Sequence, residues 1–293
     1  DVPVGIFLSG GIDSSLVYKA YKALGINIQA FTIGFQDDDY DESRNAKKLI
    51  TNVSDYNELI TNAEQVWESF EQISSLIDEP HGDPGLINAY ILTKFARNKI
   101  TVGLTGDGAD ELFGGYATFQ AHSILRKLDL IPRSFFSISR KLINFLNDSD
   151  KYMNPTFKLK RFLNGADKKG LFQYLNWLSC EENTYFAKLF SKESLEKYVK
   201  EGNLDYEVLS SCNIDKSELY KKDYDSLLNF YQKLFLPGFV CHHTDRASMM
   251  NSLEVRSPFL NKEIINFANS ISKNYKYKNK QTKYILRKAL KKL

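Results

Sequence analysis

The sequence has few cysteines and no long apolar run, and each of these absences excludes a class of protein. Its three cysteines, Cys180, Cys212 and Cys241, form no C-x-x-C pair, which argues against a zinc ribbon or a redox dithiol. This sparse cysteine usage predicts a cytoplasmic protein. Because no stretch of about 18 apolar residues occurs, no transmembrane helix is predicted. The first residues carry no basic region, so we also predict no signal peptide.

A strong excess of charge of one sign is absent as well. Lys and Arg number 39 and Asp and Glu 36, which leaves a formal net charge of +3. General nucleic-acid binders usually have a stronger basic bias, so neither a nucleic-acid nor a membrane partner is predicted. With 43% hydrophobic and 26% charged residues, the composition excludes a disordered chain, a collagen-like repeat and a small disulfide scaffold. The 293 residues are enough for one large domain or two small ones.

The first 116 residues alternate short apolar runs with segments of helical periodicity. Strands are predicted at residues 4–8, 28–34, 56–60 and 100–104, and helices at 14–24, 42–50, 64–76 and 86–98. This alternation predicts an α/β fold, a doubly wound parallel sheet with helices on both faces. Ligands of such sheets bind beyond the carboxyl ends of the strands. After Tyr116 strand-like runs become rare, and the rest of the chain is predicted to be mainly helical.

The loop at residues 9–15, Ser-Gly-Gly-Ile-Asp-Ser-Ser, joins the first predicted strand to a helix N-terminus. Gly10 and Gly11 let backbone amides approach an anion and adopt positive φ, and the helix start adds unpaired N–H groups. Three hydroxyls can donate to phosphate oxygens, those of Ser9, Ser14 and Ser15. A carboxylate such as Asp13 beside an anion site is typical of a divalent-cation ligand. Together these features favour a pyrophosphate cradle with a magnesium ligand over a serine-capped helix.

A second loop, residues 105–116, follows the fourth predicted strand at the same edge of the sheet. Asp110 could complete a magnesium site with Asp13, and Gly106 and Gly108 would let the backbone pass close to a nucleotide. By itself the loop fits a polar turn equally well. Two rival nucleotide loops are absent, since the sequence has neither G-x-x-x-x-G-K-[ST] nor G-x-G-x-x-G. A kinase or GTPase P-loop and dinucleotide binding are therefore disfavoured.

At these two loops the sequence resembles the glutamine-hydrolysing asparagine synthetase family, in its C-terminal synthetase domain. The first loop is similar to the pyrophosphate-loop motif of ATP pyrophosphatases, and the second to the family's second loop. Further similar stretches follow in the family's order, at residues 31–35, 78–80, 245–249, 252–260 and 283–287. The resemblance implies an adenine nucleotide α-hydrolase-like fold with an ATP-binding core at 1–116. It also implies a helical part at 117–293, within which residues 245–287 return to the active site.

The resemblance implies a carbon–nitrogen ligase with ATP and Mg²⁺ as cofactors. Such an enzyme amidates a carboxylate through an acyl-adenylate and releases pyrophosphate and AMP. Aspartate is the expected substrate, with ammonia delivered from glutamine by an N-terminal glutaminase domain that the sequence does not contain. A homodimer is compatible with the resemblance. The alternatives are an amidotransferase or cyclase acting on a sugar acid, a β-lactam precursor or a lasso peptide, a tRNA-modifying ATP pyrophosphatase, and an inactive nucleotide-binding regulator.

The resemblance also implies roles for single residues. Lys283 would stabilise charge at the α-phosphate and Asp107 would contact the amine or the adenylate, whereas composition alone favours a solvated lysine and a turn aspartate. The implied nucleotide-binding positions are Leu8, Ser9, Gly10, Gly11, Asp13, Ser14, Ser15, Ile33, Thr105 and Gly106, with Asp13 and Asp110 as metal ligands. Three further residues either line the substrate side or form a buried ion pair, namely Arg246, Glu254 and Arg256.

Some residues stand outside these roles or depart from the family's pattern. His242 and His243 are adjacent and cannot share one helix face, so they do not predict a metal pair. His81 lies in a Gly-Asp-Pro-Gly loop, where structural and substrate-gating roles are both open. Asn261 stands where the family usually has Asp, and Asp107 where many members have Glu. These departures bear on the substrate more than on the nucleotide chemistry.

Overall fold

The computed structural model describes residues 2–36, 41, 43–50, 52–79, 81–143, 145, 154–178, 190–198, 204–212, 214, 217–221 and 223–293. The chain divides into two compact units. The first consists of Asp1–Gly115 with Leu236–Leu293, and the second of Tyr116–Phe235. Cys180 and the proline of the Asp-Glu-Pro triplet, Pro80, lie outside the described residues.

The first unit is built on a five-stranded sheet in which every pairing is parallel. Its strands are β1 (Val4–Phe7), β2 (Gln29–Phe35), β3 (Tyr56–Thr61), β4 (Val102–Leu104) and β5 (Glu254–Arg256). Their order in the sheet is β3-β2-β1-β4-β5. The predicted parallel α/β fold is confirmed, and so are the four predicted strands. The fourth begins two residues late because Ile100 N still donates to Ala96 O of the preceding helix.

Strand β5 is the one labelled strand of the described residues that lies in the region predicted to be mainly helical. Its register against β4 pairs Val102 with Glu254 and Leu104 with Arg256. Only the middle residue, Val255, packs against the core, while Glu254 and Arg256 are exposed. A three-residue edge strand with charged residues at both ends leaves no alternation long enough to recognise, and edge strands commonly carry such charges.

The helices follow in chain order as sixteen labelled segments of the described residues. They are α1 (Ile12–Ala23), α2 (Ser43–Lys47), α3 (Ala63–Leu76), α4 (Gly85–Arg97), α5 (Ala109–Phe113), α6 (Ala117–Lys127), α7 (Arg133–Ile143), α8 (Pro155–Ala166), α9 (Leu171–Leu178), α10 (Lys192–Tyr198), α11 (Leu204–Ser211), α12 (Tyr224–Phe230), α13 (His242–Met249), α14 (Lys262–Ser270), α15 (Lys273–Lys276) and α16 (Tyr284–Lys292). A π-helical stretch, Tyr231–Cys241, joins α12 to α13. No helix in the described part of the chain is long and apolar enough to cross a membrane.

Local chemistry explains where several helices begin and end. Helix α1 ends before Gly25, which has a φ of 74° and thus a conformation that favours glycine. Helix α3 begins with a capping box, in which Asn62 Oδ1 accepts from Gln65 N at 2.9 Å and Gln65 Oε1 accepts from Asn62 N at 3.2 Å. Such caps stabilise a helix by about 1 kcal/mol. Helix α2 is shorter than predicted because residues 48–50 turn, and Leu49 and Ile50 pack against the core.

Apolar side chains cover both faces of the sheet in the first unit. Ile6 of β1 and Leu8, the residue after its end, belong to one buried cluster with residues of α1, α5, α14 and α16, whereas the intervening Phe7 packs into a second cluster with Phe31 and Leu253. Alternation by two is what a strand covered on both faces requires. Each fully buried side chain of this kind contributes roughly 1.5–3 kcal/mol, so the strand that precedes the first loop is firmly held.

The described secondary-structure elements of the second unit are all helices, joined by turns. Its aromatic side chains pack together, with Phe119 stacked on Tyr231 at 5.3 Å between ring centroids and tilted against Tyr224 at 5.0 Å. His122 Nδ1 lies 2.5 Å from the hydroxyl of Tyr174, and both residues are buried. Helices α7 and α8 share a further apolar cluster around Phe136. The predicted helical character of this region is confirmed.

Candidate active site

The first glycine loop turns the chain from β1 into helix α1. Gly10 has a φ of 76°, and a Cβ there would lie 2.6 Å from the backbone nitrogen of Ala46, so only glycine fits. Gly11 is the N-cap of α1 and has a φ of −67°, so the positive φ expected for both glycines holds for Gly10 alone. No side chain caps α1. Its first N–H groups are therefore available to an anion.

The three serines of this loop differ in their hydrogen bonds. Ser9 Oγ and Ser14 Oγ lie 3.1 Å apart, and both residues line a cavity at the edge of the sheet. The hydroxyl of Ser15 instead donates to Gly11 O at 2.5 Å, and Ser15 is buried outside the cavity lining. Two of the three predicted hydroxyls thus face the cavity, while the third supports the helix.

The second glycine loop packs directly on the first. A Cβ at Gly106 would lie 2.7 Å from Asp13 Cβ and 3.0 Å from Ser14 N. Gly108 has a φ of 83° and lies against Leu260. These glycines therefore bring the two loops, which are almost a hundred residues apart in sequence, into backbone contact at the carboxyl ends of β1 and β4.

The carboxylate of Asp107 is held from two sides by hydroxyl groups. Thr105 Oγ1 donates to its Oδ2 at 3.0 Å and Thr244 Oγ1 donates to the same oxygen at 2.9 Å. Ser257 Oγ donates to the backbone oxygen of Asp107 at 2.5 Å. Burial raises the pKa of Asp107 more than these hydrogen bonds lower it. The result is a fixed carboxyl group that takes up a proton more readily than an exposed aspartate.

Lys283 joins the two loops electrostatically. Its Nζ lies 2.5 Å from Asp13 Oδ2 and 2.6 Å from Asp110 Oδ1, and only 9% of its side chain is exposed. The solvated alternative for Lys283 is therefore wrong. Gly115 makes this geometry possible, because a Cβ there would lie 1.7 Å from Asp110 Oδ1 and 2.0 Å from Lys283 Cε. Gly115 was not predicted as a site residue, although its position at the end of the second loop could have indicated it.

Burial and the closeness of these charged groups shift the pKa values of Asp13 and Lys283. Burial raises the pKa of Asp13 to about 6, against the attraction of Lys283, and the negative charges of Asp110 and Asp107 act in the same direction as burial. Burial lowers the pKa of Lys283, but the two carboxylates outweigh it and the net pKa is raised. Lys283 is therefore a cation at neutral pH.

The two carboxylates also fit a divalent cation. Asp13 Oδ1 is buried and has no hydrogen-bond partner among the described residues, which leaves a hard oxygen ligand unused. Asp110 presents a second carboxylate oxygen to the same point, where Lys283 now supplies the positive charge. Hard oxygen donors are the ligands that Mg²⁺ prefers, so the pair fits the predicted magnesium ion by chemistry.

A cavity of about 510 Å³ opens at this edge of the sheet, a size typical of small-ligand sites. One part of its wall is apolar, formed by Phe7, Leu8, Ile33, Phe35 and Leu92. The polar lining residues are Ser9, Gly11, Asp13, Ser14, Asn88, Thr93, Thr105, Gly106, Asp107, Asp110, His243 and Thr244. Thr244 was missed by the sequence analysis, although it directly precedes the stretch at 245–249. The division suits a ligand with one flat apolar end and one charged end.

The three proposed substrate-side residues are not part of this cavity lining. Arg256 Nε lies 2.7 Å from Glu254 Oε1, but their side chains are 65% and 53% exposed, so a buried ion pair is wrong for these two. They are exposed because β5 is an edge strand. Arg246 Nη1 lies 3.2 Å from Asp78 Oδ2, in a partly exposed pair near His242.

Comparison with known proteins identifies the family of the chain. Residues 1–293 match the family model described as asparagine synthase. The chain is 30% identical to asparagine synthetase (glutamine-hydrolyzing) 1 of Bacillus subtilis (strain 168), over 99% of this chain and 44% of that protein. It is 25% identical to the protein named amidase chyE of Penicillium rubens, over 99% of this chain and 47% of that protein. The chain thus spans less than half the length of these relatives. Because the family model covers the chain from end to end, this protein belongs to the asparagine synthase family.

Proposed function

We propose that the chain is the synthetase domain of an ATP-dependent amidating enzyme, a carbon–nitrogen ligase, with aspartate as the first candidate substrate. One observation carries the proposal: Lys283 meets Asp13 and Asp110 beside an uncapped helix N-terminus, at the mouth of a cavity. Membership of the asparagine synthase family supports the same reaction.

ATP would lie with its two ends against the two parts of the cavity wall. The adenine ring fits the apolar part, where Leu8 and Ile33 lie. The phosphates fit the N-terminus of α1, where backbone N–H groups and the hydroxyls of Ser9 and Ser14 can donate to phosphate oxygens. Gly10 and Gly106 have no Cβ and so allow this close backbone approach.

In the first step, an oxygen of the substrate carboxylate attacks the α-phosphorus of ATP. A new P–O bond forms, the bond to the β-phosphate breaks, and pyrophosphate leaves. The charge that develops on the α-phosphate would be stabilised by the ammonium of Lys283. Asp13 and Asp110 would hold a magnesium ion, which when bound neutralises phosphate charge.

In the second step, ammonia attacks the acyl carbon of the adenylate. A C–N bond forms, the C–O bond to AMP breaks, and the nitrogen loses a proton. Asp107 is the proposed acceptor or contact for this nitrogen, because its carboxyl group is held at the cavity wall by Thr105 and Thr244 and has a raised pKa.

The proposals for the nitrogen source and for the substrate are based on the names of the relatives. Several are named glutamine-hydrolyzing asparagine synthetases, so we propose that glutamine supplies ammonia through a glutaminase domain of the whole protein. Two further relatives carry the name amidase rather than asparagine synthetase, so the second candidate is amidation of a different carboxylate by the same chemistry. A homodimer stays a prediction.

The test is pyrophosphate release from ATP and Mg²⁺, with ammonium and a panel of carboxylates. The panel contains aspartate, glutamate, a uronic acid and a β-amino acid. We expect release to depend on one carboxylate and on ATP, and to disappear in Asp13→Asn, because that change removes a metal ligand. Asp225→Asn is the matched control, since Asp225 is exposed on α12. Aspartate-dependent release supports the first candidate and release with another acid supports the second, while no release with any acid contradicts both.

A further inference from the structure

A second cluster of ligand-type side chains lies beside the cavity. His81 and Asp83 come from the segment that precedes α4, and His243 is the second residue of α13. One ligand atom from each of the three side chains lies within 4.8 Å of the other two. Segments 160 residues apart in sequence therefore bring two imidazoles and a carboxylate to one point.

The carboxylate of Asp83 is already oriented as a ligand. Its Oδ1 accepts a hydrogen bond from Gly85 N at 2.9 Å, while its Oδ2 lies 2.8 Å from His243 Nδ1. Burial raises the pKa of Asp83, but these hydrogen bonds outweigh it and hold the pKa below its usual range. Asp83 is thus a fixed, ionised oxygen donor, and supporting contacts of this kind are typical of metal ligands.

His81 supplies the feature that is hardest to explain without a ligand. Its Nε2 is buried and has no hydrogen-bond partner among the described residues. The ring stacks on Phe239 with 5.8 Å between centroids and meets the ring of His243 edge-on at 6.1 Å. Burial lowers the pKa of His81, which favours the neutral imidazole that binds metals. An orphaned buried nitrogen is rare in folded proteins and calls for a partner.

The neighbouring histidine does not belong to this cluster. The ring of His242 lies 5.5 Å from that of His81 between centroids, but its Nε2 lies 2.7 Å from Glu79 Oε1, and His242 is not one of the three residues whose ligand atoms come together. The adjacency of His242 and His243, which led the sequence analysis to expect no metal pair, therefore does not bear on the cluster. The second imidazole is supplied by His81, from a different part of the chain.

We propose that His81, Asp83 and His243 form a transition-metal site of the Zn²⁺ type, separate from the magnesium ligands. Two nitrogens and one carboxylate oxygen are a common zinc donor set that leaves a fourth position open. Imidazole selects zinc-like metals over magnesium. Tetrahedral bonds of about 2.0–2.1 Å place ligand atoms roughly 3.4 Å apart, so a bound ion would replace the direct 2.8 Å contact between Asp83 Oδ2 and His243 Nδ1 and separate these two atoms slightly.

A metal ion bound at this site would fix the position of residues that line the cavity. His243 and Thr244 both line the cavity, and Thr244 donates to Asp107. Coordination of His243 would therefore hold the start of α13 and the hydroxyl that orients Asp107. Metal binding itself requires neither ATP nor a substrate. The proposed metal site can therefore be tested independently of the proposed function.

The experiment is calorimetric titration of the chelator-treated protein with Zn²⁺ alone, without nucleotide. We expect one saturable equivalent, and Co²⁺ in its place should give the visible absorption of a four-coordinate ion. His81→Phe keeps a ring against Phe239 and should weaken Zn²⁺ binding by at least about 100-fold, the upper end of what loss of a supporting residue costs. Asp83→Asn should act similarly. His242→Gln, the matched control on the same helix, should bind as the wild type does.

Three outcomes would overturn the proposal. They are the absence of saturable binding to the wild type, equal affinities of His81→Phe and His242→Gln, and loss of binding in Asp110→Asn but not in His81→Phe, which would place the ion at the magnesium ligands. Thermal unfolding in chelator shows which variants are folded. If Asp83→Asn does not fold, His81→Phe and the Co²⁺ spectrum decide the question.

Discussion

Lys283 is one of 39 basic residues, and its position makes it different from the other lysines near the C-terminus. It is buried between two carboxylates, while Lys280, three residues earlier, is exposed. Lys280 and Lys283 both have a positive φ, of 63° and 51°, so burial between the two carboxylates, not backbone conformation, distinguishes Lys283. Its charge is therefore held in place before any ligand binds.

We expect Lys283→Ala to lower kcat for pyrophosphate release on the order of 100-fold or more, the cost of losing one preorganised charge donor. KM for ATP should change less, because the charge acts mainly in the transition state. Steady-state kinetics at saturating magnesium measures both. Lys280→Ala is the control and should change stability by no more than about 0.5 kcal/mol.

The free energy of unfolding must be measured together with kcat, because Lys283→Ala leaves Asp13 and Asp110 without their cation. Urea unfolding gives the folded fraction under assay conditions, and kcat is compared only between folded samples. If both lysine substitutions change kcat by equal and small factors, Lys283 acts as a solvated lysine does. That result would contradict its role at the α-phosphate.

At the scale of elements, the site depends on two loops whose glycines have different tasks. Gly10 supplies a positive φ, Gly106 a close approach of backbone to Asp13, and Gly115 the space in which Asp110 meets Lys283. The positive φ of Gly10 was predicted from the sequence, whereas Gly106 was expected to approach a nucleotide rather than Asp13, and Gly115 was not singled out. The position of Gly115 in the loop indicates a glycine, but its task depends on Lys283, which lies far away in sequence.

Gly115→Ala is expected to destabilise the fold by about 1–3 kcal/mol, the usual cost of overpacking. Its Cβ would occupy the space of Asp110 Oδ1 and Lys283 Cε, so pyrophosphate release should fall too. Gly238→Ala is the control, since a Cβ there meets nothing within 4 Å. Urea unfolding and the pyrophosphate assay measure the two effects, and a Gly115→Ala variant that matches Gly238→Ala in both would contradict the packing argument.

At the scale of the whole molecule, a further prediction concerns the nitrogen donor. Hydrolysis of glutamine requires a nucleophile such as a thiolate. Of the cysteines in the described part of the chain, neither Cys212 nor Cys241 lines the cavity. Burial raises the pKa of the Cys241 thiol, which makes it a poor nucleophile at neutral pH. The two steps that we propose for these residues use ammonia and need no thiol.

A polypeptide of residues 1–293 should therefore form the amide with ammonium and not with glutamine. The measurement is glutamate formation from glutamine, beside product formation with ammonium as the positive control. Glutamate production above a blank would contradict the prediction, and its loss in Cys241→Ser would identify the thiol responsible.

Sequence reasoning predicted the elements that rest on local patterns. Four strands and the helices between them follow from short apolar runs, from apolar residues at helical spacing and from glycines such as Gly25, and the two loops follow from their glycine and carboxylate content. Strand β5 was not predicted, because three residues with one buried side chain carry too little pattern. Its position is decided by hydrogen bonds to β4, which is more than a hundred residues away in sequence.

The sequence by itself therefore determined the parallel α/β core and the chemical nature of the first loop, since buried strands and uncapped helix starts depend on neighbouring residues. Only the tertiary structure decided which lysine is buried, which serine faces the cavity, and that Glu254 and Arg256 pair at an exposed edge. It also decided that His81 meets Asp83 and His243. Burial and charge pairing are properties of groups brought together from distant segments, and their free energies exist only once the chain has folded.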